Sequence, residues 1–453
     1  MTGRDDWTGK RVVVAGAGVS GLAVATVLLD LGASVLVVDG ASGERQQAGA
    51  ERLRAIGAEV RLGDDRSPVD GDLVVAAPGM RPDHPLFAAA RAAGVEVVGE
   101  PELAWRLRAA DAAPWLGVTG TNGKTTTVGM LESVLRAAGL HSVAAGNIGL
   151  PLVTAVRATP AYDVLAVEMS SQQLAWSPSP RFTAAAVVNI AEDHLDWHDT
   201  MAAYTEAKLR IWADAVPVAN LDDPIVAAHL PGGARTFSVR NDEADYLLRA
   251  DELVETEGGS CLARLDELQV SGEHNYANAL AAAALARAFG VDVDAVRLGL
   301  SRFEPGHHRN VVVTSHDGVR FVDDSKATNP HAADASLSAY DPVVWVAGGL
   351  LKGAEVDALV ARHAKRLRAV VLLGRDRQRI ADALARHAPD VPVVDLSATD
   401  TGVMDAAVRQ AAALARPGDT VLLAPTAASW DIFRDYAERG DLFAAAARRL
   451  AGE

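Results

Sequence analysis

The run Gly117-Val118-Thr119-Gly120-Thr121-Asn122-Gly123-Lys124-Thr125-Thr126 sets a lysine and hydroxyls behind a glycine-rich turn, an arrangement that cradles polyphosphate. Trp115, Leu116 and Val118 read as the end of a buried strand. Val128, Met130, Leu131, Val134 and Leu135 then fall on one side of a helix over 125–138. In that order, the turn and the helix start aim freed backbone N–H groups at an anion, Lys124 supplies a point charge for the outer phosphates, and the Thr125 hydroxyl is a hard donor for Mg²⁺. Phosphoryl transfer is the implied chemistry. The turn is a variant of the strict phosphate loop, which has glycine where this chain has Val118.

Other polar residues fall at strand ends. Glu168 follows an apolar run that begins at Val164, which sets a carboxylate at the carboxyl edge of a sheet, facing the phosphate turn, as the primary magnesium ligand. The loop that starts at Asn189 gathers Glu192, Asp193, His194, Asp196 and His198, too many carboxylates and imidazoles at one edge for plain solvated surface. Gly16-Ala17-Gly18-Val19-Ser20-Gly21 also follows a strand, opens a helix and precedes Asp39, the fingerprint of a dinucleotide site. Alone it suggests an oxidoreductase, but a uridine diphosphate sugar satisfies the same backbone approach as well as NAD does. Lys208 sits on a helical stretch, where an exposed lysine is the default reading. Asp323-Asp324-Ser325-Lys326-Ala327-Thr328-Asn329 ends a strand and leads into Pro330, a helix-start signal, and Gly348-Gly349-Leu350-Leu351-Lys352-Gly353 forms a second cationic turn.

Along the chain, short β-branched runs alternate with Ala- and Leu-rich helical stretches, the pattern of parallel sheets with crossover helices. The α/β pattern divides into three blocks, 1–102, 103–305 and 306–453, within the two to four domains that 453 residues suggest at roughly 100 to 200 residues each. A formal charge of -16 argues against a nucleic-acid partner and leaves anionic ligands to local basic pockets. The single Cys261, the acidic start and the lack of a long uncharged apolar run point to a cytoplasmic chain with no membrane insertion.

With the phosphate-turn variant, Glu168, Glu192-Asp193-His194, Lys208, His274-Asn275 with Asn278, His308-Arg309 and 323–329 in this order, the chain resembles the Mur ligase family. The resemblance spans all three blocks. It implies an N-terminal Rossmann-like domain for a uridine nucleotide, a central P-loop ATPase domain and a Rossmann-like C-terminal domain that delivers an amino acid. The closing Leu423-Ala424-Pro425-Thr426-Ala427-Ala428-Ser429-Trp430-Asp431, with Phe433 and Glu438-Arg439-Gly440, implies UDP-N-acetylmuramoyl-L-alanine and D-glutamate as substrates, joined at the expense of ATP. The same resemblance assigns Val19, Ser20, Asp39 and Gly79 to the uridine diphosphate and Asn147 and Gln173 to the muramoyl part. Gly120, Thr121, Asn122, Gly123, Lys124, Thr125 and Thr126 go to the ATP phosphates, and Asn275, Asn278, Arg309 and Asp324 to adenosine. D-Glutamate falls to Lys326, Thr328, Lys352, Ser429 and Tyr436. Lys124, His194 and Lys208 are the implied catalytic groups, and Mg²⁺ is implied on Thr125, Glu168, His194 and a carbamylated Lys208. The expected form is a monomer whose third domain closes about hinges near Glu102 and Pro305-Gly306. Gln172, Asn310 and Leu350 depart from the family pattern. Rivals are a sister ligase or a folylpolyglutamate synthase, an NAD-dependent oxidoreductase, and a nucleotide-binding regulator without catalysis.

Overall fold

The computed structural model describes residues 6–66 and 70–453. The described residues form a mixed α/β chain built on three sheets. The first is five-stranded and wholly parallel, in the order Glu59–Leu62, Ser34–Asp39, Arg11–Ala15, Leu73–Ala76, Glu96–Gly99. Val12, Val13 and Val14 are fully or almost fully buried because helices cover both faces of such a sheet. The strand order reverses beside Arg11–Ala15, so the crevice at that switch point receives the glycine turn 16–21 and the loop 77–84.

The second sheet has nine strands. Third from one edge, Trp115–Thr119 lies between Ala184–Val187 and Val164–Glu168, with Ser142–Gly146 beyond the latter and Val216–Asn220 and Arg235–Ser238 on the other side. Helices Lys124–Ala137, Glu273–Phe289 and Val293–Arg302 pack on one face, where Ala279 through Ala286 are all fully buried. The parallel pattern expected throughout continues to Tyr246–Arg249 and is broken by Glu252–Glu255 and Ser260–Arg264, each antiparallel to the strand before it. The third sheet of six strands is parallel from Val319–Asp323 through Thr420–Leu423, Val343–Gly348 and Leu367–Leu373 to Val393–Asp395. It too has an unexpected antiparallel edge, Val311–His316, joined to the next strand by Asp317-Gly318 with φ of 50° and 76°. Left-handed backbone at both positions is the turn that an Asp-Gly pair favours in a hairpin.

The chain divides into two compact units, Met1–Ile190 with His194–Phe303, and Ala191–Asp193 with Glu304–Glu453. The first two sheets therefore belong to one unit. One apolar cluster runs from Val14, Leu28 and Val75 of the first sheet's layers to Leu152, Val167 and Tyr204 of the second's. Glu102, expected as a hinge, lies inside helix Glu100–Leu107 and accepts a hydrogen bond from Ser179 N at 2.8 Å. Among the described residues no helix is long and apolar enough to cross a membrane.

Candidate active site

At the first sheet's carboxyl edge Gly16 takes φ of 105°, and a Cβ on Gly21 would sit 2.0 Å from Gly16 O. Only glycine lets helix Val19–Asp30 start this close to the turn. Asp39 closes the turn, Oδ2 accepting from Ala17 N and Oδ1 from Ala41 N, each at 2.9 Å. Val19 is 75% exposed and Gly79 is exposed on the neighbouring loop, so an anion has open access to the helix start.

The phosphate turn follows strand Trp115–Thr119, with φ of 158° at Gly120 and 81° at Gly123. Its shape is set from outside. Asn189 Oδ1 accepts from Thr121 N at 3.1 Å and Asn122 N at 2.8 Å, its amide donates to Asn122 O at 3.0 Å, and Tyr204 OH lies 3.0 Å from Thr121 Oγ1. A Cβ on Gly123 would meet Asn278 Oδ1 at 2.4 Å, which brings helix Glu273–Phe289 against the turn, and Asn275 donates to Ser271 O at 2.9 Å. Lys124 Nζ donates to Gly120 O at 2.9 Å and to Thr121 O at 2.8 Å. Lys208, on helix Met201–Leu209, is 2% exposed, and its Nζ donates to the same Gly120 O at 2.7 Å while lying 4.6 Å from the Tyr204 ring centroid. The exposed lysine read from the sequence is thus a buried one.

Glu168, 1% exposed, ends the strand beside the phosphate turn. Its Oε2 accepts from Thr125 Oγ1 at 2.8 Å and its Oε1 from Asn147 Nδ2 at 2.7 Å. A hydroxyl and a carboxylate converging at a phosphate-binding turn are hard oxygen donors of the kind Mg²⁺ takes, so these residues fit that ion. Among the described residues there is no ready-made cluster of three or more His, Cys, Asp or Glu side chains that could hold a metal ion. Gln173 serves the backbone: with Ser170 it forms a reciprocal cap on helix Ser171–Ala175. His198, held low at about 4 by burial, lies with Nε2 2.9 Å from Ser171 Oγ.

In the second unit, the loops after Asp323, Gly348 and Leu423 leave one edge of the third sheet. Arg439, fully buried, ties two of them together by donating to Ser325 Oγ and Ser325 O at 3.0 and 2.8 Å and to Ala427 O at 3.0 Å. Burial pushes its guanidinium down to about 9. Lys326 Nζ is 3.7 Å from the Tyr436 ring centroid, Lys352 Nζ is 4.5 Å from that of Trp430, and Ser429 is 2% exposed. Thr328 N donates to Lys326 O at 2.8 Å. Asp324, pushed up to about 6 by burial, accepts from Ser336 Oγ with Arg309 nearby. The hydrogen bond from His308 Nδ1 to Asp323 Oδ2, 2.6 Å, raises the imidazole above its ordinary value.

The structure gathers Val19, Ser20, Asp39 and Gly79 at one crevice, Lys124, Thr125, Glu168 and Lys208 at the phosphate turn, and the D-glutamate candidates at the edge of the third sheet, whereas Asn275 and Asn278 lie in the first unit and Arg309 and Asp324 in the second. Sequence reading left out Asn189, Tyr204 and Arg439 as site residues. Asn189 and Tyr204 reach the turn from 67 and 83 residues away, which no local pattern signals.

Residues 10–99 match the profile of the Mur ligase MurD-like N-terminal domain, 118–286 that of the Mur ligase middle domain, and 308–427 that of the Mur ligase glutamate ligase domain. A UDP-N-acetylmuramoylalanine–D-glutamate ligase of Streptomyces avermitilis is 53% identical, over 98% of this chain and 99% of its own. One of Thermobifida fusca is 50% identical over 98% and 99%. Among solved structures, the UDP-N-acetylmuramate-alanine ligase of Thermotoga maritima has a TM-score of 0.62 at 19% identity, covering 98% of this chain and all of that one. MurF of Acinetobacter baumannii has a TM-score of 0.62 at 17% identity, covering 96% and 93%. The solved structures share the fold; the relatives share half their residues along nearly the whole length and the family profiles match all three segments, and on those grounds the chain belongs to the Mur ligase family.

Proposed function

We propose that this chain is an ATP-dependent ligase that joins the amine of D-glutamate to the L-alanyl carboxyl of UDP-N-acetylmuramoyl-L-alanine in peptidoglycan precursor synthesis. The observation that carries the reading is the near-full-length likeness to relatives of that name, at 53% to 46% identity. A carboxylate does not condense with an amine in water, because its oxygen is a poor leaving group. The L-alanyl carboxylate oxygen attacks the γ-phosphorus, the bond to ADP breaks, and an acyl phosphate forms. The neutral amine of D-glutamate then attacks the acyl carbon, the C–O bond to phosphate breaks, and a proton leaves the nitrogen.

Positioning and electrostatics supply most of such a rate. In this reading the backbone of Gly120–Thr126 and the Lys124 ammonium hold the triphosphate, and Asn275, Asn278, Arg309 and Asp324 hold adenosine. Val19, Ser20, Asp39 and Gly79 hold the uridine diphosphate, with Asn147 and Gln173 toward the muramoyl part. Lys326, Thr328, Lys352, Ser429 and Tyr436 hold D-glutamate. Thr125, Glu168, His194 and Lys208 as a carbamate would hold Mg²⁺, which when bound neutralises charge on the phosphoryl oxygens. Support for the metal part comes from Thr125 and Glu168, whose oxygens already converge at 2.8 Å. We assign 1–102 to the uridine nucleotide, 103–305 to ATP and 306–453 to the amino acid, in a cytoplasmic monomer.

The test is phosphate release by the purified chain with ATP, Mg²⁺ and UDP-N-acetylmuramoyl-L-alanine. D-Glutamate is expected to support turnover, and L-glutamate, meso-diaminopimelate and L-lysine are not. Equal turnover with L-glutamate sinks the substrate assignment.

A further inference from the structure

We propose that the loop 79–84 couples the uridine-nucleotide site to the turn that carries His194, with Arg81 and Trp197 as positioning residues. The inference rests on the ligand assignments above for what the two sites bind.

The short helix Leu195–His198 follows His194 and belongs by chain position to the central sheet. Its anchor lies elsewhere. Trp197, 8% exposed, is built into the apolar cluster of the first sheet, with Val13, Val38, Val74, Ala76 and Met80. Its Nε1 donates to Met80 O at 3.2 Å. Arg81 grips the same helix from outside: Nη1 donates to Asp196 O and Nη2 to Asp199 Oδ1 at 2.9 Å, while Asp83 Oδ1 accepts from Nε at 3.1 Å and orients the guanidinium.

The gripped segment is strained at both ends, with φ of 53° at His194 and 64° at Asp199. Residues other than glycine stay in the left-handed region only where their surroundings over-determine them. His194 O accepts from both Trp197 N and His198 N, so a shift of the helix carries the His194 backbone with it. On the other side, Met80 and Arg81 directly follow Gly79, at the switch-point crevice where the strand order of the first sheet reverses. The loop offered to the uridine diphosphate is therefore the loop that holds the His194 turn. An exposed arginine–carboxylate contact adds little to folding, so the part played by Arg81 is orientation. Coupling of this kind is reciprocal between the two ligands.

Calorimetric titration of a Mg²⁺-bound, non-hydrolysable ATP analogue, with and without saturating UDP, tests the link. UDP lacks the muramoyl and alanyl parts that would approach the triphosphate, so any effect travels through the protein. In the wild type UDP is expected to tighten the analogue about five-fold or more. In Arg81→Ala and Asp199→Asn that ratio falls toward one, each ligand alone binds as before, and thermal unfolding is unchanged. The double variant is no worse than either single one, Arg81→Lys restores part of the ratio, and Trp197→Phe, which keeps the ring but loses the Nε1 donor, lowers it. Arg181→Ala, which removes an exposed arginine paired with Asp214, leaves it intact. A wild-type ratio of one, or a full ratio in Arg81→Ala, overturns the proposal. Failure of the ligase reading shows separately, as phosphate release that ignores D-glutamate.

Discussion

Lys124 and Lys208 donate to one carbonyl, Gly120 O, at 2.9 and 2.7 Å, which sets two amines of like charge side by side at the phosphate turn. Loss of a proton from Lys208 to solvent, addition of CO₂ to the neutral amine and loss of a second proton would give a carbamate, replacing that like-charge pair with an attractive one and supplying oxygen atoms suited to a hard cation. Lys208→Ala is therefore expected to lower kcat by about 100-fold or more, the scale of losing one electrostatic group at the transition state. Short carboxylic acids in the buffer should restore part of it by filling the space with an anion. They should do nothing for Lys124→Ala, which loses acyl-phosphate formation yet keeps uridine-nucleotide binding. Initial rates with and without formate or acetate, together with UDP titrations, check both variants. Near-wild-type turnover by Lys208→Ala would end the carbamate hypothesis.

Helix Glu100–Leu107 joins the first sheet to the second, and its acids are turned inward. Glu100 Oε1 accepts from Val153 N at 2.7 Å, and Glu102 accepts from Ser179 N at 2.8 Å and from Arg106 Nε at 2.9 Å. Arg106 continues to Glu96, which adds a charged partner on the surface side. Burial pushes the Glu100 carboxyl from 4.5 up to about 7. The folded protein then keeps a proton that the unfolded chain has released, so this group's contribution to stability is full below 4.5 and is lost as pH rises through about 7. Glutamine keeps the acceptor for Val153 N without the charge. Glu100→Gln should gain up to about 3 kcal/mol on the wild type between pH 4.5 and 8. Denaturant unfolding of both proteins at those two pH values measures the difference. Parallel stability profiles would show that the carboxyl is solvated in the native state.

At the scale of the molecule, one apolar cluster spans the first two sheets, whereas the third sheet has clusters of its own on its two faces. Cooperativity follows shared core. Calorimetry is expected to show two unfolding transitions, the first two domains melting together and 304–453 separately, and a 304–453 fragment should fold alone. A 1–102 fragment should not reach its native stability, because the layer that receives Trp197, Leu152 and Trp176 is then open to water. Three resolved transitions would contradict this.

The glycine turns 16–21 and 117–126 and the alternation of strands and helices are legible in the sequence alone. Each is written in residues within a few positions of one another, where φ, ψ and side-chain period are local properties. The Asp317-Gly318 hairpin is equally local, but the parallel pattern around it masks the antiparallel edge. Folding in three dimensions was needed to place Lys208 against Gly120, Asn189 and Tyr204 on the phosphate turn, Glu102 within a helix against Ser179 N, and Trp197 in the first sheet's core. Those facts depend on which strands become neighbours, and strand order is set by packing among segments tens of residues apart, which a local pattern does not encode.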